Sequence, residues 1–100
     1  MKDWERVQLT AMYIRDRYTC RTCNQSVYLY SSPQRAHRIA NTKANRKKYG
    51  DFVIDHIDNW ASVCSLRCNG KQNIGGSPVQ AQKLADDILG SIRCHPCGHL

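Results

Sequence analysis

The sequence predicts a small α+β domain held together by a structural metal site and flanked by a helix at each end. Three observations carry that expectation. A chain of 100 residues with one Phe and two Trp buries too little apolar surface to rest on packing alone, so a staple is needed. Six cysteines fall in close pairs, and Cys20-x-x-Cys23 and Cys64-x-x-x-Cys68 can each bite one metal ion from a turn or a helix start. Apolar residues recur at helical spacing near both termini, while the first cysteine pair is followed by short β-forming runs. No internal repeat or low-complexity segment divides the chain, so residues 1–100 are expected to form one domain.

Taken in order, Trp4, Val7, Ala11, Ile14 and Tyr18 lie on one stripe of an amphipathic helix from about Asp3 to Arg17, with Asp3 as N-cap and the stripe as core. Thr19 to Cys23 forms a chelating knuckle. Val27-Tyr28-Leu29-Tyr30 predicts a strand, Ser31-Ser32-Pro33 a turn, and Arg35 to Ile39 a second strand pairing back on the first. Asn41 to Tyr49 is a short helix or ordered basic loop ending at Gly50. Phe52-Val53-Ile54 anchors the chain's return to the core. Ser65 to about Ile74 is helical, closed by Gly75-Gly76. Ser77-Pro78 starts a last amphipathic helix with Ala81, Leu84, Ala85, Ile88 and Ile92 on its inner face.

The compartment decides how the cysteines are read. Residues 1–6 show neither an apolar signal core nor a cleavage site, and no apolar stretch approaches membrane length, so a cytoplasmic location is expected. A reducing cytosol disfavours disulfides and favours zinc. The formal charge of +7 falls to about +5 once four thiolates and one Zn²⁺ are included, which still points to a polyanionic partner. Six cations and no acid lie between residues 35 and 48: Arg35, Arg38, Lys43, Arg46, Lys47 and Lys48. In the C-terminal tail Cys94-x-x-Cys97, flanked by His95 and His99, leaves two arrangements open. It can bind a second zinc, or replace Cys64 and Cys68 as partners of the first pair.

Between the two leading pairs lies Arg35-Ala36-His37-Arg38-Ile39, followed by Asn59 and then Val63-Cys64-Ser65-Leu66-Arg67-Cys68-Asn69-Gly70-Lys71. The order of these elements resembles the HNH nuclease family over about residues 17–76, leaving 77–100 as a C-terminal helix and Cys-His tail. The resemblance implies a ββα-metal fold in which Cys20, Cys23, Cys64 and Cys68 hold a structural zinc away from the chemistry. It implies a DNA endonuclease that uses His37 as general base, near its working pH. Asn59 matches the central Asn that supports the loop and the histidine, and Asn69 matches the metal-binding position at the start of the helix.

A catalytic Mg²⁺ or other divalent cation is implied as well, to stabilise the phosphorane and the leaving oxygen. Asn73, four residues after Asn69, is a second candidate ligand, and His56 or Asp55 a third. Arg35, Arg38, Lys43, Arg46, Lys47, Lys48 and Lys71 would hold the DNA backbone with little sequence readout. The chain departs from the family at Ala36, where many members carry an Asp that grips the metal. A zinc module that binds nucleic acid or protein without catalysis is therefore the rival expectation.

Overall fold

Two four-residue strands sit at the centre of the fold. In this computed structural model, which describes residues 2–27, 34–74 and 76–97 (92–97 by backbone alone), β1 (Gln34–His37) runs antiparallel to β2 (Trp60–Val63). Gln34 faces Val63, Arg35 faces Ser62, Ala36 faces Ala61, and His37 faces Trp60.

This pairing differs from the expected hairpin. β2 is buried along its whole length, so both of its faces are covered and no polar alternation marks it in the sequence. Val27, the first residue of the strand expected to pair with β1, is not itself in a strand. Its N–H donates to the Tyr18 carbonyl at 2.8 Å, and Thr19 and Ser26 form an isolated bridge, which folds the knuckle back on the end of the first helix. Residues 28–33, which include the rest of the expected strand and its turn, lie outside the described residues, as does Gly75.

Helix α1 (Asp3–Arg15) starts after Lys2, not after Asp3, and Glu5 reaches back to accept from the Lys2 N–H at 3.3 Å. It ends two residues earlier than expected because Arg17 and Tyr18 both take left-handed backbone angles, with φ of 55° and 54°. Its apolar stripe is not the core face: Val7 and Ile14 are 72% and 59% exposed, and Ala11 is exposed too. The inward face carries Met12, fully buried, beside polar anchors. Asp16, just past the helix, accepts from the Ser62 N–H at 2.9 Å, Arg15 donates to the carbonyls of Ile57 and Trp60, and Gln8 donates to that of Asp55. Hydrogen bonds to β2 and its approach therefore decide which face of α1 turns inward.

The connection from β1 to β2 contains α2 (Lys43–Tyr49) and α3 (Asp51–Asp55). Thr42 caps α2 by accepting from the Asn45 N–H at 3.1 Å, and Gly50, at φ +91°, stops it in a conformation that a side chain would disfavour. A 3₁₀ turn (Ile57–Asn59) leads into β2. Ser65 caps α4 (Leu66–Gln72), which ends short of the expected Ile74, and Ser77 precedes Pro78 at the start of α5 (Pro78–Cys97).

Burial divides into two small cores. Cys20, Val27, Ala36, Ala61, Val63, Cys64 and Cys68 form one, and Ile39, Val53, Ile54, Ala81, Ala85 and Ile88 form the other. Ala81, Ala85 and Ile88 of α5 and Val53 and Ile54 thus serve the core and Leu84 packs against it, while Phe52 is half exposed and the Ile92 side chain lies outside the described residues.

Asn59, with no surface of its own in solvent, ties the second of these together. Its carboxamide oxygen accepts from the Ile39 N–H at 2.7 Å, and its nitrogen donates to the carbonyls of Ile39 at 3.1 Å and Ile54 at 3.0 Å. Replacing Asn59 with Ala strands one N–H and two carbonyls in the interior. We expect a loss of about 3 kcal/mol of unfolding free energy, measured by urea denaturation at unchanged m value.

Candidate functional site

The knuckle that holds the first cysteine pair is built from backbone hydrogen bonds. The Cys20 N–H donates to the Gln25 carbonyl and the Asn24 N–H to that of Cys20, both at 2.8 Å, with Asn24 left-handed at φ 64°. It is also laced to the second pair. Arg21 donates its N–H to the Ser62 carbonyl at 2.9 Å, Thr22 donates through Oγ1 to the Cys68 carbonyl at 2.8 Å, and the Gln72 amide donates to Thr22 Oγ1 at 2.8 Å. Cys64 closes β2 and Cys68 lies in the first turn of α4.

The four Sγ atoms of Cys20, Cys23, Cys64 and Cys68 lie within 4.8 Å of one another. Two of the spacings are 3.6 Å (Cys23 to Cys64) and 3.7 Å (Cys64 to Cys68). A tetrahedron with Zn–S bonds of about 2.3 Å has edges of about 3.8 Å, close to these two spacings, so the four residues fit a metal ion such as zinc. The expected pairing of 20 and 23 with 64 and 68 brings these four sulfurs together. Cys94 and Cys97 belong by backbone to the last turns of α5, His95 lies between them, and their side chains and His99 fall outside the described residues.

The thiols are not equivalent. Burial raises the Cys20 pKa, but the N–H groups of Cys23, Thr22 and Cys64 outweigh it and bring the thiol below its ordinary value. Burial and the neighbouring Cys23 push Cys64 up. Of these two, Cys20 is the readier to carry negative charge, and a bound cation would favour the thiolate form of its ligands.

Strand alternation sends the two halves of β1 to opposite faces. Gln34 and Ala36 turn to the cysteines and α4. Ala36 is fully buried there, and Asn69 approaches Gln34 Oε1 and the Arg35 carbonyl, each at 3.4 Å. Arg35 and His37 turn to α1. The Arg35 guanidinium lies 4.3 Å above the Trp60 ring and 3.6 Å from Glu5, while the His37 ring meets Trp60 edge-on at 6.0 Å. His37 and Asn69 thus lie on opposite sides of the sheet.

His37 opens into a polar cleft of about 320 Å³ with Trp4, Glu5, Asn41, Arg46 and Asp55 among its walls. Burial, reinforced by Arg35 and opposed by Asp55, lowers its pKa from 6.5 to about 4. The imidazole is therefore neutral at pH 7, and the same burial makes it a weaker base than an ordinary histidine. Asn59 fixes the backbone just beyond it through Ile39, and the Arg38 N–H donates to the Asn59 carbonyl at 2.8 Å.

Several predicted DNA contacts have partners within the protein. Arg46 binds Asp55 through both terminal nitrogens at 2.7 and 3.2 Å, Asp51 at 2.9 Å and Asn41 at 2.7 Å. That guanidinium holds the Asp55 carboxyl below its usual range. Arg38 is half-buried, and burial with Arg21 and Arg15 nearby lowers its pKa. Lys43, Lys47, Lys48 and Lys71 are exposed.

The expected ligands of a hard cation are not gathered into one place. His56 lies near Phe52, with ring centroids 5.4 Å apart, and its Nδ1 accepts from the Asp58 N–H at 3.0 Å. Asn69 lies across the sheet, and Asn73 caps the end of α4. Among the described residues the cysteine cluster is the one grouping of three or more His, Cys, Asp or Glu side chains placed to share an ion, so the residues present do not form a ready Mg²⁺ site. Sequence reasoning missed Glu5 and Asp51 as walls of the cleft. Neither follows a recognisable motif, and both reach it only through the packing of α1 and α3.

Two outcomes follow from this geometry. Purified protein should carry one zinc per chain by elemental analysis, and Cys20→Ser or Cys68→Ser should unfold the domain, since a structural zinc contributes on the order of 10 kcal/mol in small metal-dependent modules. For His37, the unfolded chain titrates near 6.5 and the folded chain near 4. The unfolded state binds the extra proton between those values, so the stability linked to His37 is present above about pH 6.5 and is lost as pH falls toward about 4. Unfolding free energies from pH 4 to 6.5 should show a steeper slope for the native chain than for His37→Gln. No protein-family model matches the chain, and comparisons with curated proteins and with solved structures likewise found no match.

Proposed function

We propose that the domain is a DNA endonuclease of the HNH type, in which His37 deprotonates the water that attacks a phosphodiester. The observation that carries this reading is the placement of His37. A neutral imidazole stands at the end of a strand, in a polar cleft, with the backbone beyond it fixed by the buried Asn59. The order along the chain agrees with the family resemblance, with a strand ending in His37, Asn59 just before the second strand and then α4, but Asn69 lies across the sheet from His37.

In this proposal Arg35 faces the phosphate at the cleft, while Lys43, Lys47, Lys48 and Lys71 contribute screened attraction to the backbone. Zinc holds the fold through the cysteine face. His37 would activate the water, and since the described residues gather no ligand set beside it, a divalent cation would be held there mainly by the substrate phosphate and water.

One observation favours the rival reading, a zinc module that binds without cutting. Ala36 is packed beneath the cysteine cluster and leaves the α4 side of β1 without a carboxylate at the position where the resemblance expects one. A plasmid-nicking assay separates the two. Supercoiled DNA incubated with the zinc-loaded protein and Mg²⁺, Mn²⁺ or Ni²⁺ should be nicked, and His37→Ala should slow nicking by about 100-fold or more with DNA binding retained. Binding with no nicking in any metal would establish the rival.

A further inference from the structure

Beside the His37 cleft lies a second, more apolar one of about 440 Å³, walled by Trp4, Gln8, Phe52 and His56 and sharing Trp4, Asp51 and Asp55 with the first. We propose that this slot receives an unpaired base of a DNA strand whose phosphate lies in the His37 cleft, so that the preferred substrate is single-stranded or locally opened DNA. The proposal rests on the endonuclease reading for its choice of DNA.

Large aromatic side chains left in water next to a polar cleft carry the argument. Trp4 is 43% and Phe52 52% exposed, yet neither ring is isolated. Trp4 lies 6.3 Å from the buried Trp60 at an interplanar angle of 31°, and Phe52 lies 5.4 Å from His56. Each exposed ring is thus backed by another and presents a face at little further ordering cost. Exposed, backed aromatic rings alongside cations are the combination on which single strands stack, with no dependence on base identity.

The polar groups of the slot suit a base edge better than an aliphatic partner. His56 accepts at Nδ1 from Asp58, so its neutral ring carries a proton at Nε2 as a donor. Asp51 and Asp55 on the shared wall would repel a phosphate if free, but both are paired with Arg46. Arg35 and Lys2 stand in the first cleft, where the phosphate would lie. A base inside a duplex must leave its stack to enter such a slot, whereas a single strand offers one already free.

The test measures binding by the full, zinc-loaded chain without any divalent cation, so that cleavage plays no part. Fluorescence anisotropy with a labelled 16-nucleotide strand and its duplex at constant salt should show the single strand bound about tenfold tighter. Phe52→Ala and Trp4→Ala should each weaken single-strand binding by about tenfold and leave duplex binding within about twofold, and Trp4→Phe should keep most of the affinity. Unchanged zinc content and circular dichroism in Phe52→Ala, an exposed position, show that the fold survives. Equal affinity for strand and duplex, or equal losses on both, would overturn the proposal. So would a concentration-dependent dimer dispersed by Phe52→Ala with no strand preference, which would give the face to a second copy of the chain. Strand preference lost in Phe52→Ala without nicking in any metal would uphold this inference and sink the endonuclease reading. His37-dependent nicking with single-strand binding unchanged in both variants would do the reverse.

Discussion

The buried carboxamide of Asn59 is the constraint on which the rest of the structure depends. Twenty-two residues separate His37 from Trp60, although the two face each other across the sheet. Closing so long an excursion on two four-residue strands costs chain entropy that the few hydrogen bonds of the ladder cannot offset by themselves. Asn59 closes it from the inside by clamping Ile39 at the exit of β1 and Ile54 at the end of α3. Ile39 and Ile54 belong to the core that α5 completes, while Ala61 and Val63, just beyond Asn59, belong to the core around the cysteines. One polar side chain thus ties the second cluster together, and the strand that follows it runs into the first.

The thin sheet also separates two kinds of chemistry. Because successive side chains on a strand point to opposite faces, β1 turns Ala36 to the cysteines and His37 to the cleft. A small residue at 36 lets the knuckle and α4 close over the strand. The same alternation keeps His37 away from the thiols, which would otherwise compete for its proton or for an ion. A metal in the cysteine cluster would act on the far face only by holding β1, β2 and α4 in register.

How much of this was legible in the sequence depended on whether a signal was local. The two cysteine pairs were legible because chelation imposes spacing on the chain, and their convergence follows from the pairing of β1 with β2. Ala81, Leu84, Ala85 and Ile88 announced the inner face of α5, since that helix is held by apolar contact. The stripe Trp4, Val7, Ala11, Ile14 has the same period and points outward, because α1 is held through Gln8, Arg15 and Asp16 bonding to backbone groups 42 to 47 residues away. Periodicity reports an amphipathic helix but not which face is buried when polar anchors outvote apolar ones. β2 was illegible for a related reason: Trp60-Ala61-Ser62-Val63 is covered on both faces and shows no alternation.

The electrostatics follow the same logic. Six cations between residues 35 and 48 read as one basic run, yet the fold treats them differently. Arg35 and Arg46 point into the interior cleft and meet Glu5, Asp51 and Asp55 from other parts of the chain. Lys43, Lys47 and Lys48 stay in solvent on α2. Guanidinium groups suit the first role because their planar fork can bridge two carboxylates while retaining its charge, as Arg46 does. The ammonium groups are compact and well hydrated, and on an exposed helix they act at a distance set by salt. In the cleft, by contrast, Arg35 and Arg46 already face Glu5, Asp51 and Asp55, so under the proposed function discrimination there would come from shape and from the rings of Trp4 and Phe52 more than from net charge.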